Sequence, residues 1–159
     1  MTNEELEVLE NYCKLGWTHL TNTGEHGKPK NFRHFKHYCP ACEIAKRTDD
    51  ILKTSVNSYK VPCEYCPITI WRELRNNLMK EYKSNYRRCE FISEEPMCEW
   101  GDGFYKKWRL ASQHLNPNAI RKFAASNIAL LEWTYIPEYD TIEVSDLIEF
   151  INQNPNVEC

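Results

Sequence analysis

Glycine is scarce in this chain, with five in 159 residues, and none of them form a phosphate-binding loop. That removes nucleotide-binding motifs of the Gly-rich kind. No run of about 18 apolar residues occurs, so no segment is expected to span a bilayer as a helix. The start, Met1-Thr2-Asn3-Glu4-Glu5, is acidic and has no apolar run, so a secretory signal is not expected there. H-E-x-x-H and H-x-E signatures are both missing, which argues against metalloprotease and deaminase chemistry. Neither Lys nor Arg occurs after Lys122.

Charge is therefore segregated. Residues 1–27 carry a net −4, residues 28–122 a net +8 and residues 123–159 a net −7, giving −3 overall. A basic middle between acidic ends suits an anionic partner, or neutralisation by the chain's own tail. Hydrophobic residues make up 42% and aromatics 13%, enough for one packed domain over 1–159.

Cysteine is plentiful, with eight in all. Four fall in two close pairs, Cys39-Pro-Ala-Cys42 and Cys63-Glu-Tyr-Cys66, with twenty residues between them. Each pair can set two thiolates on one side of a turn, and four thiolates complete a tetrahedral Zn²⁺ site. A closed four-Cys site is structural and leaves no open position for catalysis. Without a signal, a cytoplasmic, reducing setting is expected, where such pairs bind metal more often than they form disulfides.

Further ligands are available. His34 and His37 precede Cys39, and Cys89 and Cys98 follow the second pair. Two sites are then arithmetically open: His34, His37, Cys39 and Cys42 in one, and Cys63, Cys66, Cys89 and Cys98 in the other. One four-Cys site is simpler. Cys13, Cys89 and Cys159 read as lone, small, buried residues.

The periodicity is helical. Thr2 and Glu5 form a capping box ahead of Leu6, Leu9 and Cys13, predicting a helix from Asn3 to about Leu15. Residues 21–38 read as a loop, and Cys42 to Leu52 as a short helix. Val61 marks a short strand. Pro67 suits a first helical position, followed by Ile68, Trp71, Leu74, Leu78 and Tyr82. Phe104, Trp108, Ala111 and Leu115 predict another helix. Asn116-Pro117 opens one running to about Trp133, with Ile120, Phe123, Ala124, Ile128 and Leu131 on one face. Thr141 to Val144 reads as a brief strand, and Ser145 as the cap of a last helix ending before Pro155. The expected fold is mainly α with minor β. Its helices surround a zinc knuckle of treble-clef or ribbon type, with a zinc-centred core over 36–110 and an acidic helical segment over 116–159.

The stretch Lys28 to Tyr38 mixes cations with aromatics and contains no acid. Lys28, Lys30, Arg33 and Lys36, joined by Arg72 and Arg75 farther on, could contact phosphates, while exposed rings stack on bases. The plainer alternative is a loop whose Phe32, Phe35 and Tyr38 cover the core. A metal nuclease using the His26–His37 region is a further alternative, although no general-base His can be placed between the Cys pairs.

The run Cys39-x-x-Cys42, Cys63-x-x-Cys66-Pro67-Ile68-x-x-Trp71, then Cys98 and Gly101-Asp-Gly-Phe-Tyr105-Lys-Lys-Trp108, resembles a group of small uncharacterised proteins of bacterial viruses. The resemblance spans residues 36–110. It differs in the spacing of Trp71 and in the longer stretch before Cys98. It implies a viral origin, a four-Cys zinc site and no enzyme activity. It further implies an accessory protein that binds a host protein or defence system in the host cytoplasm.

Overall fold

A computed structural model describes residues 1–36, 39–52, 65–68 and 104–157. Among these the chain is mainly helical. The described residues form five α-helices, α1 (Asn3–Thr23), α2 (Pro40–Leu52), α3 (Phe104–Arg109), α4 (Pro117–Ala129) and α5 (Ser145–Gln153), with 3₁₀ turns at Lys30–His34, Ala111–Gln113 and Pro137–Thr141.

α1 begins as its capping box dictates. Thr2 Oγ1 accepts from the Glu5 N–H at 3.1 Å, and the Glu5 carboxylate accepts from the Thr2 N–H at 2.8 Å. The helix does not stop near Leu15. The apolar stripe continues through Trp17 and Leu20, both buried, and the helix runs on to Thr23. It ends where Gly24 takes the left-handed conformation (φ 68) and donates its N–H to Leu20 O at 2.9 Å. The Gly24 carbonyl in turn accepts from Arg121 Nε at 2.6 Å and from Asn118 Nδ2 at 3.4 Å, so α4 closes the C-terminus of α1.

α4 is the main neighbour of α1. Its buried residues are Ala124, Ala125 and Ile128, and the two alanines permit close approach. The predicted face is corrected here. Phe123 is exposed and meets Phe104 edge-on with centroids 5.9 Å apart, while the helix stops at Ala129 rather than near Trp133. The stretch expected as one helix from Phe104 to Leu115 is α3 plus a 3₁₀ turn. Trp108 and Ala111 are its buried residues, Phe104 and Tyr105 pack half-buried against the core, and Leu115 is fully exposed.

Two predicted strands and one predicted helix start need correction or fall out of view. Thr141 to Val144 is not a strand: a 3₁₀ turn ends at Thr141, and extended Ile142 and, beyond it, Val144 bury their side chains with no partner strand among the described residues. Val61 lies outside the described residues. Pro67 does not open a helix. Its carbonyl accepts from the Thr134 N–H at 2.7 Å, and Ile68 forms an isolated antiparallel bridge with Trp133. The rest of that predicted helix, from Trp71 to Tyr82, lies outside the described residues. Ser145 is the first residue of α5 rather than its cap; Val144 holds that position without a side-chain bond.

One core cluster draws on each of these five helices, from Leu6 of α1 to Ile151 of α5. At its centre Trp17 meets Trp108 edge-on at 5.5 Å, and exposed His26 stacks on Trp108 from the surface at 5.4 Å. Gly16, in mid-helix, faces the ring of Phe32, which is completely buried. A Cβ added at Gly16 would overlap that ring. Gly16→Ala should therefore destabilise by about 1–3 kcal/mol, although the same exchange at an open helical site stabilises by about 0.5–1 kcal/mol. Urea unfolding of the variant checks this, and a rise in midpoint would contradict the packing.

Candidate metal centre

Cys39 immediately precedes Pro40, the first residue of α2, and the Glu43 N–H closes the first turn onto the Cys39 carbonyl at 3.1 Å. Cys42 sits within that turn. One helix start therefore fixes both thiols, and their Sγ atoms lie 3.8 Å apart. The edge of a tetrahedron of thiolates with Zn–S bonds of about 2.3 Å is about 3.8 Å. The pair thus has the separation that two ligands of such a site require. Cys13, Cys39, Cys42 and Cys66 are thiols rather than disulfides.

Their surroundings differ. Cys39 is buried and Cys42 half-buried. Contact with the Cys13 thiol, reinforced by burial, pushes the Cys39 thiol well above its ordinary range, while hydrogen bonding to Cys42 works the other way. Without a metal, Cys39 is thus a neutral thiol at pH 7, and a dication binding there must displace its proton. Cys13, on the buried stripe of α1, is the residue that sequence reasoning missed. It has no paired spacing to signal it, and only the packing of α1 against α2 brings it beside Cys39.

Cys66 is half-buried and packs at the edge of the core, and the carbonyl of its neighbour Tyr65 accepts from the buried Tyr139 hydroxyl at 2.8 Å. Because Pro67 and Ile68 are not helical, Cys66 does not stand at a helix start as expected. Cys63, Cys89, Cys98 and His37 lie outside the described residues. Among the described residues no group of three or more His, Cys, Asp or Glu side chains is arranged to hold a metal ion. His34 is turned to another use: its ring stacks on Phe150 of α5 at 3.7 Å, with an interplanar angle of 2°.

The basic stretch divides in the same way. Phe32 and Phe35 are buried in the core, so neither ring is available to stack on a base. Lys30, Arg33 and Lys36 are exposed, while Arg72 and Arg75 lie outside the described residues. Lys28 is half-buried and donates to the Phe35 carbonyl at 3.1 Å. Burial pulls its ammonium below the usual lysine range, and Cys39, Cys42 and Glu43 oppose that pull.

The acidic C-terminal segment lies against this basic region. Besides the His34–Phe150 stack, Asn31 Nδ2 donates to Asn156 O at 3.0 Å. On α2, Arg47 grips Asp146 through both carboxylate oxygens at 2.7 and 2.6 Å and also donates to Glu143 O at 2.7 Å. The Arg47 guanidinium holds the Asp146 carboxyl below its usual range. Asp49, buried, lies 3.8 Å from Lys46, which also pairs with Asp50. Two of the three acids between the Cys pairs, Asp49 and Asp50, are thus engaged by a lysine of their own helix.

No protein-family model matches the chain, and no curated protein or solved structure shows significant similarity to it. No helix among the described residues is long and apolar enough to cross a membrane.

Proposed function

We propose that the chain is a small zinc-stabilised protein that acts by binding rather than by catalysis, with Cys39, Cys42, Cys63 and Cys66 as the ligands of one structural Zn²⁺. The observation that carries the reading is the 3.8 Å separation of the Cys39 and Cys42 sulfurs at the start of α2, the edge length of a tetrathiolate zinc site. Zinc would supply only cohesion there, tying α2 to the segment around Cys66. Four thiolates leave the ion no free position for substrate.

The partner best supported is a protein. Phe32 and Phe35 of the basic stretch are spent on the core, and part of its neighbourhood is occupied by the acidic C-terminal segment. The resemblance to small proteins of bacterial viruses favours a host protein or a component of host defence, met in the host cytoplasm. Direct nucleic-acid binding through Lys30, Arg33 and Lys36 is the alternative, favoured by the exposure of all three. The two separate on salt. Fluorescence anisotropy with mixed-sequence single-stranded and duplex DNA and RNA should give no binding in the micromolar range at about 0.15 M salt. Binding that weakens steeply between about 50 and 200 mM salt, and is reduced by Lys30→Ala, Arg33→Ala and Lys36→Ala alike, would establish the alternative.

A further inference from the structure

We propose that Cys39 and Cys42 are a redox site, a dithiol that glutathione disulfide closes into a disulfide at the start of α2. The inference uses only the geometry of this pair. It also deepens the zinc reading above, since a disulfide between these residues has no thiolate to give a metal.

The two sulfurs lie 3.8 Å apart, in contact but not bonded. A disulfide holds its sulfurs about 2.05 Å apart, so closure asks for a movement of less than about 2 Å. The local chain accommodates it. Cys39 precedes α2 and is not part of it, and Pro40, the first helical residue, has no N–H that a shift could leave unpaired. The bond that closes the first turn, from the Glu43 N–H to the Cys39 carbonyl, involves neither cysteine side chain.

Access sets the order of events. Cys39 is 1% exposed and Cys13 of α1 is 2% exposed. Cys42 is half-buried, so of these three it is the thiol that a dissolved disulfide can reach. The Cys42 thiolate attacks one sulfur of glutathione disulfide. The S–S bond of glutathione breaks, a Cys42–glutathione disulfide forms, and the departing glutathione takes up the proton that Cys42 released. Cys39, already in contact with the Cys42 sulfur, then attacks it. The mixed disulfide breaks, the Cys39–Cys42 bond forms, and a second glutathione leaves with the Cys39 proton. The protein has lost two hydrogen atoms, and glutathione disulfide has become two glutathiones. The second step joins groups held side by side, so it outruns reversal by free glutathione.

Trypsin releases a peptide, residues 37–46, that holds Cys39 and Cys42 and no other cysteine. The folded full chain is incubated with glutathione disulfide, remaining thiols are blocked with N-ethylmaleimide, and the digest is weighed by mass spectrometry. Zinc release is followed in the same samples with a chromophoric chelator. The peptide should lose two hydrogens and take no maleimide, dithiothreitol should restore both thiols, and bound zinc should leave in step with closure. Cys13→Ala should oxidise like wild type, and Cys42→Ser should leave Cys39 unmodified. If Cys42→Ser does not fold, the wild-type and Cys13→Ala digests decide. A peptide that takes two maleimides even in excess glutathione disulfide would overturn the inference and leave the zinc reading standing. So would one that stops at the mixed disulfide, or a link from Cys39 or Cys42 to another cysteine. A chain that closes the Cys39–Cys42 disulfide but holds no zinc beforehand, or keeps its zinc afterwards, would uphold the inference and overturn the zinc reading.

Discussion

Cys39→Ser should leave the chain without its metal and unable to fold around α2. Structural zinc contributes on the order of 10–16 kcal/mol in small zinc-dependent peptides, while a whole domain is stable by only about 5–15 kcal/mol. A ligand lost from such a site therefore removes most of what holds its surroundings together. Serine nearly preserves the volume of cysteine, so the volume change at this buried position is slight. An unsatisfied hydroxyl alone would cost about 1–3 kcal/mol. The metal-dependent loss should be larger, and Cys66→Ser should reproduce it. Cys13→Ala, which removes the thiol beside Cys39 but no proposed ligand, should retain the metal. Soluble expression and circular dichroism with and without a chelator check the set. A Cys39→Ser protein that melts like wild type and is indifferent to chelator would remove the role assigned to the site.

Trp17→Ala should be the most damaging change in the core that does not touch a cysteine. Trp17 is 1% exposed and contacts Trp108 at 5.5 Å and Tyr105 at 6.4 Å, both edge-on. It joins α1 to α3 at the point where His26 also stacks on Trp108. Large aromatic-to-alanine changes in cores cost about 3–5 kcal/mol, because the lost burial is compounded by a cavity. At about 2–4 °C per kcal/mol for a chain of this size, the melting temperature should fall by roughly 10 °C or more. Phe123→Ala is the control. That ring is 57% exposed, despite falling on the face that helical periodicity marks as apolar, and its loss should change stability by about 0.5 kcal/mol or less. Equal effects from Trp17→Ala and Phe123→Ala would mean that the core is not where it is described.

The difference between those two aromatics measures what could be read from sequence. Periodicity locates the stripe of α1, because Leu6, Leu9 and Cys13 repeat at helical spacing and the capping box marks the start. It does not mark the end, since Gly16 looks like a weak point until the ring of Phe32 is found filling the space a side chain would take. In α4 the buried residues are Ala124, Ala125 and Ile128. The close approach of α1 selects small side chains and turns Phe123 outward, and a hydrophobicity pattern cannot express that selection. Ile142 and Val144 alternate as a strand would, but alternation reports two buried side chains and not a pairing partner.

The same limit applies at the site. The Cys39–Cys42 spacing is a local signal and was legible, because a single helix start determines the distance between the two sulfurs. The neighbourhood of that pair depends on chain segments far apart in sequence. Cys13 comes from α1. Segregated charge in the sequence allowed either an external anion or the chain's own acidic tail. Arg47 with Asp146, and His34 with Phe150, are the contacts by which the C-terminal segment takes up part of that role.

Zinc content decides the central claim. A native mass spectrum of the purified full chain, before and after acid denaturation, should show one Zn²⁺ per chain that is lost with the fold. Two ions would bring His34, His37, Cys89 and Cys98 in as ligands and would require His34 to leave its stack on Phe150. A folded chain that carries no metal would contradict the account.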